Sequence, residues 1–209
     1  MNRMMKHVDL QLQGTYMSAK KISMSSYPGF VFSFDDFYLS SNNLAIFETT
    51  FSNFNETLNQ YITSSTLLDW IRIALSVRVA TDGPSFKEVF EKQNSGTYNN
   101  QWVVVDYNKL NSVDSGLPEG TVTVSEQLPG YVFYKDFSKE VEETGYFGSF
   151  NVPNIEETIA MGNITANAQG NKAFWNHPTE CCRAKIAKDN VDSIVDMDSI
   201  KKFMKLNQY

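Results

Sequence analysis

The stretch from Ser95 to Tyr107 constrains the fold most, because it passes from turn chemistry to strand chemistry within a few residues. Ser95 and Gly96 follow a helical pattern and are typical of a turn. Residues 103–105 are three consecutive valines, a β-branched run that is typical of a strand buried on both faces. The sequence therefore predicts a buried strand that the chain enters through a tight turn.

Polar side chains crowd the junction between this turn and this strand, where two asparagines, Asn99 and Asn100, stand next to each other. A buried amide group destabilises a fold unless it is hydrogen-bonded. One interpretation is that both asparagines bond to the backbone of the turn itself, as asparagine often does. The alternative is that one of them points into a pocket and donates to a substrate carbonyl. The residue pattern alone leaves both alternatives open.

The rest of the chain alternates between strand-like and helix-like segments. Period-2 patterns and turn signals predict short strands at residues 21–25, 30–34, 44–50, 121–125, 131–134, 146–150 and 183–186. Apolar residues at helical spacing predict helices at 2–10, 67–79, 85–94, from 154 and over 193–207. Glu126 and Gln127 fall at a predicted turn, where solvated side chains without a role are expected. Together these segments predict one α+β domain over residues 1–209, with antiparallel sheets and helices packed outside.

Composition excludes some classes of partner. The chain has 209 residues, a formal net charge of −6 and a pI near 5.0, which disfavours a nucleic-acid partner because such a partner needs a basic patch. No apolar run reaches the length of a transmembrane helix, and the segment Met1–His7 lacks the apolar core of a signal peptide. The adjacent Cys181 and Cys182 lack zinc-site spacing, so two free thiols are expected, or a bond to a cysteine elsewhere. No motif predicts a cofactor or a metal.

The sequence resembles the phospholipase B-like proteins, and the matching blocks occur in the same order along nearly the whole chain. The blocks are Ser26–Gly29, Asp35–Tyr38, Glu48–Thr50, Leu68–Arg72, Ser95–Tyr107, Glu126–Gly130, Arg183–Ile186 and Met197–Asn207. The resemblance implies the fold of the N-terminal nucleophile hydrolases, a layered αββα sandwich. It also implies hydrolysis of a lipid acyl ester or amide by a cysteine thiolate, with the free α-amino group as base.

The resemblance carries roles onto four residues of this sequence. Asn99 or Asn100 would donate to the oxyanion, Arg183 would support the thiolate, and Asp36 would assist the oxyanion. For Arg183 the alternative is a surface arginine, and for Asp36 it is a solvated turn. A lysosomal or secreted location is implied as well, in which the sequons at Asn55 and Asn163 would be glycosylated.

One departure from the family concerns the nucleophile, which in the family lies upstream of the region where this chain begins. The chain is therefore expected to be an internal part of a longer protein and to be inactive when isolated. Its expected partners are a lipid or acyl-amide substrate and the remaining segments of that protein. The alternative function is a non-catalytic lysosomal or secreted glycoprotein that binds a lipid or a protein partner.

Overall fold

A computed structural model describes residues 2–10, 16–33, 37–110, 116–165 and 177–206. These residues form one seven-stranded antiparallel sheet in which every strand pairs with its neighbours in sequence. The strands are β1 (Met4–Asp9), β2 (Lys21–Ser26), β3 (Phe37–Ser40), β4 (Leu44–Thr50), β5 (Asn100–Asp106), β6 (Val122–Leu128) and β7 (Tyr131–Asp136). The α+β class with an antiparallel sheet is thus confirmed.

Helices connect or follow the strands. They are α1 (Asp69–Val79), α2 (Gly83–Phe90), α3 (Ser138–Thr144), α4 (Glu156–Met161), α5 (Cys182–Asn190) and α6 (Met197–Phe203), with short 3₁₀ helices at Glu56–Tyr61 and Val191–Ser193. The segment between β4 and β5 contains α1 and α2, which pack against each other and over one face of the sheet. No helix in the described ranges is long and apolar enough to cross a bilayer.

The main core lies between the sheet and the pair α1–α2. Alternation along the strands turns Ile46, Trp102 and Val104 toward Ile73, Phe86 and Phe90 of the two helices. Trp102 sits at its centre, with its ring centroid 5.6 Å from that of Phe90 and 6.0 Å from that of Phe86. A second, smaller core on the opposite face contains Val103, Val122, Val124, Phe137 and Ile155.

Local chemistry explains the start of α2 better than the start of α1. Asp82 caps α2 by accepting from Ser85 N at 2.8 Å, and Ser85 Oγ accepts in return from Asp82 N at 3.0 Å. The helix therefore begins at Gly83, two residues earlier than the sequence predicts. For α1, Leu68 is the N-cap residue and makes no side-chain cap, so the helix depends on its buried face.

Several predicted segments differ from the structure. The segment predicted as a helix at residues 2–10 contains strand β1, because pairing with β2 outweighs a short apolar pattern that fits both periods. Residues 183–186, predicted as a strand, lie inside helix α5. Residues 30–33 and 146–150 are not strands.

The described residues form one sheet, whereas the sequence predicts at least two. The strands predicted as a second group, β5 to β7, continue directly from β4 through seven residue pairs between β4 and β5. The C-terminal helix α6 is confirmed but shorter than predicted, and none of its residues is buried. Cys181 and Cys182 form no disulfide bond within the described residues.

Candidate functional site

The candidate site lies where the end of β4 meets the beginning of β5. Thr50 pairs with Asn100 there, and Glu48 pairs with Trp102. The turn that leads into β5 has two residues in the left-handed region, Gly96 with φ 64° and Tyr98 with φ 63°. A Cβ atom on Gly96 would lie 2.4 Å from the backbone of Pro129, so glycine is required by both conformation and space.

Asn100 is fully buried and is bonded within the fold. In the orientation that satisfies its neighbours, its carboxamide nitrogen donates to Thr50 Oγ1 at 2.6 Å, Asn99 O at 3.0 Å and Glu48 Oε2 at 3.2 Å. These contacts tie β5 to β4 and hold a carboxylate oxygen beside the amide. In this arrangement the donors of Asn100 are already engaged.

Asn99 differs from its neighbour, because its buried Oδ1 atom has no hydrogen-bond partner in the described part of the chain. Its backbone carbonyl accepts from Phe51 N at 3.0 Å, which continues the pairing of the two strand ends. The two asparagines predicted from sequence are therefore adjacent at the site, and they differ in that the donors of Asn100 are engaged whereas Asn99 Oδ1 has no partner.

Arg183 reaches the same region from helix α5. Its guanidinium donates to Phe150 O and, at 2.7 Å, to Asn151 Oδ1. Asn151 Nδ2 donates in turn to Thr50 O at 2.6 Å, next to Asn100. A chain of hydrogen bonds thus connects Arg183 to the strand end that carries the asparagines, although Arg183 itself is exposed. Asp36, the fourth predicted residue, lies outside the described residues.

An apolar cavity of about 250 Å³ opens beside the strand end, between the sheet and α1. Its walls are mostly apolar side chains, among them Phe32, Leu68, Trp70 and Ile73. The lining residues with polar groups are Ser33, Glu48, Asp69, Thr97, Tyr98 and Trp102. Glu48 links the cavity to Asn100, because it lines the former and accepts from the latter.

Asp69 is the unusual acid of this cavity. Burial raises the pKa of Asp69 from 3.8 to about 7, although the nearby Arg72 guanidinium acts in the opposite direction. The backbone N–H of Asp69 donates to Thr97 Oγ1 at 3.2 Å, which ties the start of α1 to the turn before β5. The cavity therefore carries a carboxyl group that changes its charge near neutral pH.

A buried arginine network holds the turn in place. Arg72 donates to Phe90 O at 2.8 Å, to Asn94 Oδ1 at 2.9 Å and to Gln127 Oε1 at 2.5 Å. Gln127 Nε2 then donates to Tyr98 O at 3.0 Å, and Asn94 Oδ1 accepts from Gly96 N at 2.8 Å. The two residues with left-handed backbone are thereby fixed from α1 and from β6.

The prediction for Glu126 and Gln127 was wrong, because both are fully buried strand residues of β6. Glu126 accepts from Gln101 Nε2 at 2.6 Å, from Asn154 N at 2.5 Å and from Ile155 N at 3.2 Å. Desolvation raises the pKa of Glu126 and these hydrogen bonds oppose the rise. The alternation of Val122, Val124 and Glu126 on one face was the sequence signal that could have placed it.

The two predicted sequons lie in different settings. Asn55 caps the first 3₁₀ helix and donates through Nδ2 to Met161 O at 2.8 Å, whereas Asn163 is exposed. Among the described residues, no group of three or more His, Cys, Asp or Glu side chains could hold a metal ion.

The fold and the site define an α+β protein in which two central antiparallel strands end at an apolar cavity that carries two buried acids, one of which accepts from a buried asparagine. The chain belongs to the phospholipase B family, whose family model matches residues 1–209. The resemblance drawn from the sequence blocks is thereby confirmed.

Three relatives show the extent of the similarity. Phospholipase B-like 1 of Bos taurus is 37% identical over 209 residues, which are 100% of this chain and 38% of that protein. Phospholipase B-like protein G of Dictyostelium discoideum is 36% identical, with 99% of this chain and 36% of that protein covered. Phospholipase B of Crotalus adamanteus is 35% identical, with 99% and 37% covered. The chain thus spans less than two fifths of the length of each of these relatives.

Proposed function

We propose that this chain is part of a hydrolase that cleaves acyl ester or amide bonds of lipids. The observation that carries the proposal is the apolar cavity beside the contact between Glu48 and Asn100. A mostly apolar pocket with a few converging polar groups is the usual form of a small-molecule site, and apolar walls suit an acyl chain. Membership of the phospholipase B family supports the same class of reaction.

The proposed roles follow the resemblance to N-terminal nucleophile hydrolases. A cysteine thiolate supplied by another part of the protein would attack the acyl carbon, with the α-amino group as base. Asn99 or Asn100 would donate to the oxyanion, and Asn99 is favoured because the carboxamide donors of Asn100 are engaged within the fold. Arg183, which is connected to Thr50 through Asn151, would provide positive charge near the thiolate.

We propose that the sheet and its helices form one half of an αββα sandwich. The face of the sheet opposite α1 and α2 exposes Leu39 and Phe47, and a groove of about 330 Å³ lies between Phe47, Val105 and Phe147. Apolar side chains on a sheet face are usually covered by another layer. We propose that a second sheet from the remaining segments of the protein covers them.

A lysosomal or secreted location is proposed on the same resemblance, with Asn55 and Asn163 as glycosylation sites. The alternative function, a glycoprotein that binds lipid without turnover, uses the same cavity. Binding and turnover must therefore be measured separately.

The test uses the protein extended by the flanking sequence that its full-length relatives contain. Release of fatty acid from phosphatidylcholine micelles and from an N-acyl amide of equal chain length is measured by mass spectrometry. The variants Asn99→Ala and Asn100→Ala are compared with the unmodified protein at equal folded fraction. Loss of an oxyanion donor is expected to lower kcat by about 10²–10³ with little change in KM.

The two variants serve as matched controls for each other. We expect the large loss in Asn99→Ala, whereas Asn100→Ala should mainly lower the melting temperature, because Asn100 bonds within the fold. No fatty acid release by the extended protein, together with binding of the lipid, would refute the hydrolase and support the alternative. Near-normal kcat in both variants would show that this strand end is structural.

A further inference from the structure

A second groove, with a volume of about 560 Å³, lies between strand β1 and helix α1. Its α1 wall includes Trp70, Ala74 and Arg78, which repeat at intervals of four residues and therefore share one stripe of the helix. The opposite wall includes Lys6 and Val8, which lie on the same face of β1. The groove thus follows α1 for about 12 Å, the rise of eight helical residues.

The charged side chains that line this groove in the described part of the chain are both cations, Lys6 and Arg78. Lys6 Nζ donates to Tyr27 O at 2.5 Å and to Phe30 O at 2.6 Å. Arg78 donates through one terminal nitrogen to Ala74 O at 2.8 Å. Neither cation forms an ion pair with a described carboxylate. The chain has 24 acidic and 18 basic residues, so its overall excess of acids does not extend into this groove.

Arg78 is the cation that retains donors for a ligand. A guanidinium has five N–H donors in a planar fork. The bond to Ala74 O turns this group back over a residue that itself lines the groove. The side chain is half-buried, and burial lowers the pKa of Arg78, an effect that Tyr38 opposes. A positive charge that is partly withdrawn from water with no anion beside it points to an anionic ligand.

Charge and shape together specify the ligand. A carboxylate matches the guanidinium fork with two parallel hydrogen bonds, whereas a neutral alcohol or ester leaves the charge uncompensated. Val31, Leu75 and Trp70 line the groove and are 57%, 51% and 40% exposed, so an apolar chain laid against them would remove apolar surface from water. The volume of the groove is that of a site for one small molecule, which fits a single acyl chain.

We propose that this groove binds a single-chain fatty carboxylate, with its carboxylate on the Arg78 guanidinium and its acyl chain between Val8 and Leu75. The chain would extend toward Trp70, which lines both this groove and the cavity beside β5. The inference goes beyond the proposed function, because it assigns a second binding site and requires no turnover.

The test compares decanoate with decan-1-ol, which has the same chain length but no charge. Binding to the extended protein described above is measured by calorimetry and by tryptophan fluorescence at about pH 7, with both ligands kept monomeric. At this pH a carboxylate is ionised and an arginine is charged. We expect decanoate to bind about tenfold more tightly than the alcohol, the effect of hydrogen bonds between charged groups. The preference should shrink at high salt, which screens partly exposed charges.

The variants separate the charge from the place of binding. Arg78→Met keeps an apolar stem but removes the charge, so it should abolish the preference for decanoate. Lys139→Met removes an equal charge from an exposed side chain of α3 and, as the matched control, should keep the preference. Two half-exposed leucines locate the ligand. Leu75→Glu places a carboxylate in this groove and should weaken decanoate binding at least about tenfold, whereas Leu68→Glu places one beside the cavity of the candidate site and should not.

Failure of the extended protein to bind decanoate, or equal affinity for the two ligands, would overturn the inference. A preference that survives in Arg78→Met would do the same. A larger loss in Leu68→Glu than in Leu75→Glu would place the ligand in the cavity and overturn it as well. Arg78-dependent binding of phosphatidylglycerol vesicles without binding of monomeric decanoate would also overturn it, because the occupant would then be a membrane surface.

Decanoate has no acyl ester or amide bond to cleave, so the result of this assay is independent of turnover. Binding of decanoate in the groove, together with no fatty acid release by the extended protein, would refute the hydrolase and leave this inference standing. Fatty acid release without decanoate binding would do the reverse.

Discussion

Asp69 should make the stability of this protein depend on pH, and the direction of that dependence follows from its burial. Its pKa rises from 3.8 to about 7 on folding, because desolvation disfavours the carboxylate. Between these two values the folded state binds more protons than the unfolded state. The free energy of unfolding must therefore fall as the pH rises through this window, and it becomes constant above the folded pKa.

The magnitude follows from the size of the shift. About three pK units at roughly 1.4 kcal/mol each give a loss of about 4 kcal/mol across the window. Between about pH 5 and about pH 8 the loss should be roughly 3 kcal/mol. The pKa of about 7 already includes the opposing effect of Arg72, which stays charged throughout because its own pKa is about 10.

The assay is urea unfolding followed by tryptophan fluorescence over this pH range, with Asp69→Asn as the matched control. The buried Glu126 also has a raised pKa and contributes to the pH dependence, but it is present in both proteins. The difference between the two proteins therefore isolates Asp69. We expect that difference to change by roughly 3 kcal/mol in favour of the variant as the pH rises from about 5 to about 8. If the free energies of unfolding of the two proteins changed in parallel with pH, the argument from burial would be refuted.

Three further outcomes are expected. Arg72→Met should lower the free energy of unfolding by about 3–5 kcal/mol in urea titrations, because it leaves Gln127 and the Phe90 carbonyl without their donor. A loss below about 1 kcal/mol would show that the network is dispensable. Gly96→Ala should cost more than about 1 kcal/mol by the same measurement, because of its positive φ and the contact with Pro129, whereas Gly145→Ala, also at positive φ but with open space around it, should cost less. If the nucleophile lies on another part of the protein, as proposed above, the 209-residue chain alone should release no fatty acid in the mass-spectrometric assay, because loss of a nucleophile removes about 10⁶-fold of rate in well-studied triads. Turnover above a blank would contradict this.

Much of the fold could be predicted from the sequence, because local patterns specify it. The runs in β2, β4 and β5 carry the alternation or the β-branched content of strands, and α1 carries a long apolar pattern. Glycine marks the turns at Gly29 and Gly130, where its φ is 82° and 80°. In each case the determining interaction lies within a few residues.

The errors share a different physical cause, namely a partner far away in sequence. β1 is a strand because β2 pairs with it, and the pattern of Met4, Met5 and Val8 alone fits a helix as well. Glu126 is buried because the backbone N–H groups of Asn154 and Ile155 bond to it, which no local pattern reports. Acidic residues are usually exposed, so the sequence predicts a solvated side chain for Glu126.

The candidate site could be predicted only in part, because contacts between distant parts of the sequence bring some of its residues together. Asn99 and Asn100 were found because they stand at the mouth of a strand that is evident from three valines. Asp69 and Trp102 lie more than thirty residues apart in sequence, and only the packing of α1 on the sheet brings them into one cavity. Arg183 was placed on a strand, yet helix α5 still connects it to the site through Asn151.

The order of the strands has a consequence for how the site forms during folding. Every pairing joins neighbours in sequence, but the connections differ in length: β2, β3 and β4 are linked by short segments, as are β6 and β7, whereas residues 51–99 separate β4 from β5. Closing that long loop costs the most chain entropy, so pairing of β4 with β5 should be the late step that joins two preformed halves of the sheet. Glu48 and Thr50 belong to one half and Asn100 to the other. The site therefore lies where the two halves of the sheet join. Partly folded molecules in which β4 and β5 are not yet paired would contain both halves but no binding site.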